Sequence, residues 1–395
     1  MTTLSRLKTR LFAYALFSDF IPIYPLYAVM FTDRGIGPAE LSVLLFAWSA
    51  TAFLLEVPSG AIADRYPRKY VLMFAEVAHA LAYAAWLFMP NFWGFLVGFI
   101  LWGIASAFSS GTVQALVYDE LKKLDREADY TKTRGVMNSL QLTGNMIASF
   151  SAIAFVASGY ELLLMLSVGF GLLNVAIVAT LPKVKRTQSL DEETHYFDYL
   201  KRGVTYAVSH RAILRILAVS GVVLGLGSVD EYYTVFFKEQ GLNNYMISFW
   251  DGVIVATGIV MSLTAAKVGS RMTPHGPSTA LFISAWGATL LVATCGGSLL
   301  APLVIVLFSA FFFLIQTVVD GWLQHAINED ARATITSVEG FIAELGALVT
   351  FIAVGLIAQV TSFTVGMQAV AVLIVLAGIA ALVIRPKSAT VDVHD

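Results

Sequence analysis

Twelve runs of about 20 apolar residues, each closed by a polar or Gly/Pro-rich turn, constrain this 395-residue chain more than any other feature. A helix rises about 1.5 Å per residue, so roughly 20 residues cross the ~30 Å hydrocarbon layer of a bilayer. The runs predict spans at 11–32, 40–63, 70–89, 92–116, 135–157, 161–181, 212–237, 246–268, 277–297, 300–323, 334–358 and 362–384. Composition points the same way. With 57% hydrophobic residues, 13% charged and a mean hydropathy of +0.75, the chain holds more apolar material than the interior of a soluble domain of this length needs. The single cysteine, Cys295, excludes an internal disulfide framework and a cysteine-rich metal site. The basic start Met1–Arg10 reads as the approach to a retained first span, because the apolar run continues to about Phe31 without a small-residue cleavage site.

The placement of charge gives the expected orientation. With a cytoplasmic N terminus, 23 of the 25 Lys and Arg residues fall on the cytoplasmic side and only Arg34 and Lys238 on the other. A missed span would scramble that tally. The expectation is a multi-pass protein of the cell (inner) membrane with both termini cytoplasmic. There is also an internal repeat. A shift of 206 residues aligns Tyr24–Arg65 with Asp230–Arg271 without a gap, pairing Tyr27 with Tyr233 and Gly35 with Gly241 among eight identities in 42 positions. Asp191-Glu192-Glu193 and the apolar residues after it allow either a surface amphipathic helix or a solvated tether between the repeats.

Gly60-Ala61-Ile62-Ala63-Asp64-Arg65-Tyr66-Pro67-Arg68-Lys69 packs four charges into a turn between two apolar runs. It resembles the loop between helices 2 and 3 of major facilitator superfamily transporters, G-x-L-A-D-R-x-G-R-K, matching at Gly60, Ala63, Asp64, Arg65, Arg68 and Lys69. Pro67 replaces the family's second glycine. The resemblance implies an all-α membrane protein with twelve transmembrane helices in two pseudo-symmetric six-helix bundles, around a cavity open to alternate sides. The bundles would be 1–182 and 212–395, joined by a cytoplasmic connector over 183–211. The run from Leu200 to Arg215 is similar to what precedes helix 7 in many bacterial exporters of the superfamily. In the family loop the acid latches the cytoplasmic side, so Gly60, Asp64, Arg65, Arg68, Lys69, Asp119 and Arg134 are candidate latch residues. Arg134 and the N-terminal end of the eleventh span near Ala333 are the candidate partners of Asp64. The alternative is that these charges only set topology. An Arg in helix 4 and a G-P-rich helix 5, frequent in drug antiporters, are missing here; the fifth span has only Thr143-Gly144-Asn145.

Ionisable groups inside spans are functional candidates because burying them is expensive. Asp19 lies close to mid-depth, and Pro22 and Pro25 weaken the first span directly after it. It reads as a proton-binding carboxyl, with a buried structural acid as the alternative. Glu344 in the eleventh span is a second proton candidate, or a partner for a neighbouring helix. The seventh span carries Asp230 and Glu231. The family places helices 1 and 7 along the cavity, so these acids with Phe20, Tyr24, Tyr27, Tyr232 and Tyr233 would make an anionic aromatic wall suited to an amphiphilic cation. Either acid could instead reach exterior water. Polar stripes at Asn138, Gln141 and Asn145 and at Gln316, Asp320 and Gln324 fit substrate contact or interhelical bonding equally. Glu76 and His79 share a face of the third span and read as a structural pair, and the scattered histidines offer no zinc-ligand spacing.

These features together predict a secondary transporter, with proton-coupled export of small amphiphilic, possibly cationic, molecules as the leading reading. The rivals are a proton-linked uptake symporter and a transport-inactive sensor or assembly partner. No enzyme chemistry is expected: there is no nucleophile–base constellation, and the absence of a P-loop removes ATP drive within the chain. The expected partners are a small-molecule substrate, protons and the lipid bilayer, with no cofactor, no nucleic acid and a monomeric state.

Overall fold

The first span is not one helix. In the computed structural model, which describes residues 3–182, 205–274, 276–327 and 329–383 except for the side chains at 57, 64, 266 and 329–334, α1 (Thr3–Ser18) stops just before Asp19. Pro22 and Pro25 lack the N–H needed to continue the helical ladder. The chain passes through a 3-10 turn, Tyr24–Leu26, and resumes as α2 (Tyr27–Asp33). The helices that follow are α3 (Pro38–Arg65), α4 (Arg68–Phe88), α5 (Phe92–Lys122), α6 (Tyr130–Phe155) and α7 (Tyr160–Ala179). The second half contains α8 (Arg211–Gly227), α9 (Tyr233–Glu239), α10 (Asn244–Gly269), α11 (Pro277–Cys295), α12 (Gly297–Ala326), α13 (Glu329–Val360) and α14 (Phe363–Val383). Among the described residues, eleven segments are long and apolar enough to cross a membrane. The broken α1–α2 pair supplies the twelfth, its pieces of 16 and 7 residues each being too short alone. Of the 183–211 connector and its expected surface helix, residues 183–204 lie outside the described residues, as does the tail after 383; residues 205–209 are helical, with Ala207 buried.

The seventh span, read from the sequence as continuous, is also broken: a 3-10 turn over Ser228–Tyr232 separates α8 from α9. No proline causes this break. Gly225 lies so close to α13 that a Cβ there would stand 2.7 Å from Gly346 Cα. Two hydroxyls, Thr350 Oγ1 at 2.8 Å and Ser228 Oγ at 2.7 Å, donate to the Gly225 carbonyl that would otherwise serve the helical ladder.

These breaks make the repeat visible in three dimensions. Tyr27 and Tyr233 each restart a helix after a 3-10 turn, and the two lie 206 positions apart, the offset of the sequence repeat. At the same offset, Gly35 and Gly241 turn the chain with φ of +88° and +84°, a region that costs glycine little. Pro38 and Asn244 then open the next helices.

Within the first half, α4 packs on α5 and α7, α5 on α3, and α1 on α6. In the second, α11 packs on α14 and α12, α10 on α12, and α8 on α13. Lipid gives helices little hydrophobic reason to associate, so close fit and small residues carry the packing. Ala75, Ala78 and Ala82 are accordingly buried along α4. The halves meet along two seams, α3 with α13 and α6 with α10, and at the two breaks. We call the end carrying residue 3 the basic face.

Candidate substrate cavity

Where the two breaks face each other, a cavity of about 190 Å³ opens. Ser18, Asp19 and Tyr24 from the first break, Tyr27 of α2, Asn145 of α6 and Glu231 from the second break form one side. Trp48, His79, Phe99 and Trp102 contribute the rest of its polar and aromatic wall. The Tyr27 hydroxyl donates to the Glu231 carboxylate and so joins the halves at mid-depth. The Tyr27 ring is held by Trp86 and Phe99, with centroids 5.9 and 5.7 Å away. Among the described residues, the lining contains two carboxyls and no Lys or Arg. In surroundings poorer in water than bulk solvent, such a wall attracts positive charge, and the aromatic faces add to that attraction.

The sequence-predicted residues divide at this cavity. Asp19, Tyr24, Tyr27, Asn145 and Glu231 line it together. Gln141 stands beside it, its amide donating to Ser18 Oγ at 3.2 Å. Phe20 turns away and lies against Phe170 of α7, centroids 4.4 Å apart. Tyr233 is buried beside Phe308, and Tyr232 is fixed at the seam by Ser42 and the Phe351 carbonyl. Asp230 and Asn138 are exposed outside this lining, as are Gln316 and Asp320 on α12.

Glu344 belongs to a seam, where Ser49 Oγ of α3 donates to its carboxylate. The other seam has a matching pair: Ser149 Oγ of α6 donates to Asp251 of α10 at 2.7 Å. The sequence reading does not single out Asp251, although a carboxyl inside the 246–268 run carries the same signal as Asp19. His79 is likewise understated by the sequence. Its Nδ1 stands 3.8 Å from Glu76, as the structural pairing predicts, but the ring also reaches the cavity.

Charges at the two faces are arranged differently. At the face opposite the basic one, Asn244 donates to Tyr160, which donates to Asp33, and Lys238 also donates to Asp33, so the network crosses between the halves. Arg34, the other exception to the positive-inside pattern, pairs with Glu161 at 2.6 Å. Nearer the basic face a second cavity, about 410 Å³, lies between α3, α5 and α13, with Glu56, Gly60, Arg68 and Gln114 in its walls. Of the latch candidates, Arg68 pairs with Asp119 and donates to the Ala115 carbonyl at 2.8 Å, while Lys69 donates to the Ala179 carbonyl. Arg65 is exposed, and Arg134 makes no ion pair among the described residues. The Asp64 side chain lies outside the described residues.

Two bundles of six spans, joined at one face and enclosing a polar cavity where broken helices meet, define a multi-pass membrane transporter. The sequence profile of the Major Facilitator Superfamily matches residues 10–348, and the chain belongs to that family. A relative in Bacillus subtilis (strain 168), the uncharacterized MFS-type transporter YfiS, is 23% identical over 308 residues, covering 75% of this chain and 70% of the relative. Among solved structures, the nucleoside transporter NupG superposes with a TM-score of 0.75 at 14% identity, covering 97% of this chain and 99% of that one. A bacterial homolog of the human lysosomal transporter Spinster, inward-facing and unoccupied, gives 0.71 at 13% identity, covering 95% of each chain. At these identities the structures share the fold, and the family makes the chain a transporter, not an enzyme.

Proposed function

We propose that this chain is a proton-coupled exporter of small amphiphilic cations, working as a monomer in the cell membrane with both termini cytoplasmic. One observation carries the reading: Asp19 and Glu231, carboxyls from different halves, face a single aromatic cavity with no Lys or Arg among the described residues of its lining. A proton on Asp19 lowers the cavity's negative charge and weakens its hold on a cation, while a bound cation opposes protonation. This reciprocal linkage is what exchange of one for the other requires. The halves are joined at the face opposite the basic one, and a larger cavity lies near the basic face, so this conformation would admit substrate from the cytoplasm. Uptake by symport is the competing direction, because the fold alone serves both.

The test uses inside-out vesicles with an imposed pH gradient and a panel of lipophilic cations. Export by exchange predicts accumulation in the lumen only when the lumen is acidic, and its loss in Asp19→Asn, which keeps the side chain's size and removes its titration. Accumulation that needs the reverse gradient would replace export by symport. Full concentrating activity in Asp19→Asn would remove Asp19 from coupling.

A further inference from the structure

Two polar atoms of residues that line the cavity are buried and lack a hydrogen-bond partner among the described residues: His79 Nε2 and Trp48 Nε1. Buried polar groups are nearly always paired, so an orphan acceptor and an orphan donor on one cavity call for an occupant. The His79 ring is well fixed. Tyr83 stacks on it at 6.5 Å and Trp102 meets it edge-on at 6.1 Å. Glu76 faces Nδ1, and that carboxylate is itself held by the Tyr14 hydroxyl at 3.2 Å and the Asn174 amide at 3.0 Å. A carboxylate on that side favours the ring proton on Nδ1 and leaves the Nε2 lone pair on the ring edge away from Glu76.

The cavity wall therefore offers several acceptors to an N–H group: the carboxylates of Asp19 and Glu231, the Asn145 side-chain oxygen and, on its border, His79 Nε2. A quaternary ammonium ion satisfies charge and aromatic faces but has no N–H to give. A primary or secondary ammonium ion does. The volume of about 190 Å³ is below that of a drug-sized site and favours a compact ligand.

We infer that the substrate is a compact organic ammonium ion that retains N–H groups, and that His79, positioned by Glu76, accepts one of them and sets specificity against fully alkylated cations. Trp48 Nε1 donates to an acceptor elsewhere on the same molecule. This rests on the cavity being the cation site, and the experiment separates the two claims. The probes are 2-phenylethylamine and its N,N,N-trimethyl derivative, measured by calorimetry on purified protein in nanodiscs. Wild type should bind the primary amine at least about tenfold more tightly, the scale of one hydrogen bond to a charged group. In His79→Phe that ratio should fall about tenfold, any remaining preference being carried by the Asp19 and Glu231 carboxylates. His79→Gln, whose amide oxygen can still accept, should recover part of it. A ratio taken on one sample does not depend on the fraction of protein that folds, and the Gln variant keeps the test open should the Phe variant fail to fold. A wild-type ratio near one, with both probes bound, overturns the role of His79 while leaving the cation site standing. A ratio unchanged in His79→Phe overturns it equally. Failure of both probes to bind wild type overturns the cation reading and this inference together.

Discussion

Removing one oxygen from Tyr27 should shift the balance between the transporter's conformations. The Tyr27 side chain is 4% exposed, and its ring packs on Trp86 and Phe99, so Tyr27→Phe keeps the packing and deletes only the donor to Glu231. That bond spans the two halves and exists only while they are closed at this depth. A hydrogen bond to a charged group contributes about 1.5–3 kcal/mol. In the separated state water can serve Glu231, so the lower end of that range applies. About 1.4 kcal/mol is a factor of ten in an equilibrium constant. The population open at the face opposite the basic one should therefore rise about tenfold from its wild-type level. The Lys238–Asp33 and Asn244–Tyr160 contacts remain and keep the closed form in the majority. The assay is a spin-label distance distribution between Met89→Cys and Leu299→Cys, both exposed, in a Cys295→Ser background that removes the exposed native thiol. An unchanged long-distance fraction would show that the bond does not bias closure, and the mid-depth link between the halves would have no conformational role.

Gly144→Ala should destabilise the first half, because the added Cβ would lie 2.0 Å from the Leu16 carbonyl oxygen and drive α1 from α6 beside Asp19. The expected cost is about 1–3 kcal/mol, read as a lower thermal unfolding midpoint in detergent, and an unchanged midpoint would contradict the close approach. Asp119→Asn should slow maximal transport while leaving equilibrium cation binding nearly intact, since the Arg68–Asp119 pair lies near the basic face, away from the central cavity. Its stability cost should be at most about 1 kcal/mol, because part-exposed ion pairs contribute little. Equal loss of binding and transport would count against a gating role.

Much of the fold is legible in the chain because a bilayer leaves few choices. Backbone polar groups in hydrocarbon must be satisfied within the segment, so apolar run length becomes helix length. The runs 70–89 and 277–297 correspond to Arg68–Phe88 and Pro277–Cys295. The repeat is legible for a similar reason: glycines at positive φ and helix starts must recur wherever the backbone repeats, as Gly35 and Gly241 do. Pro22 and Pro25 also marked the first span as weak beside Asp19, where the helix in fact stops at Ser18. The break before Tyr233 was silent, because it depends on Gly225 meeting Gly346 more than a hundred residues away, and no local rule encodes that contact.

The candidate site was half legible. Sequence alone determined which carboxyls lie within spans, because an acid in an apolar run stands out whatever surrounds it, and Asp19 and Glu231 were found that way. Helix periodicity gives a residue's direction around its own axis but not which neighbour fills that direction. Only the tertiary structure decided that Phe20 packs on Phe170, that Tyr233 is core, that Ser149 meets Asp251 across a seam, and that His79, beside Glu76, also reaches the cavity. Composition and spacing fix the membrane and the count of spans because each segment answers to lipid on its own. The cavity's lining is drawn from separate spans of the first half and completed by Glu231 of the second, and it exists only once they are packed.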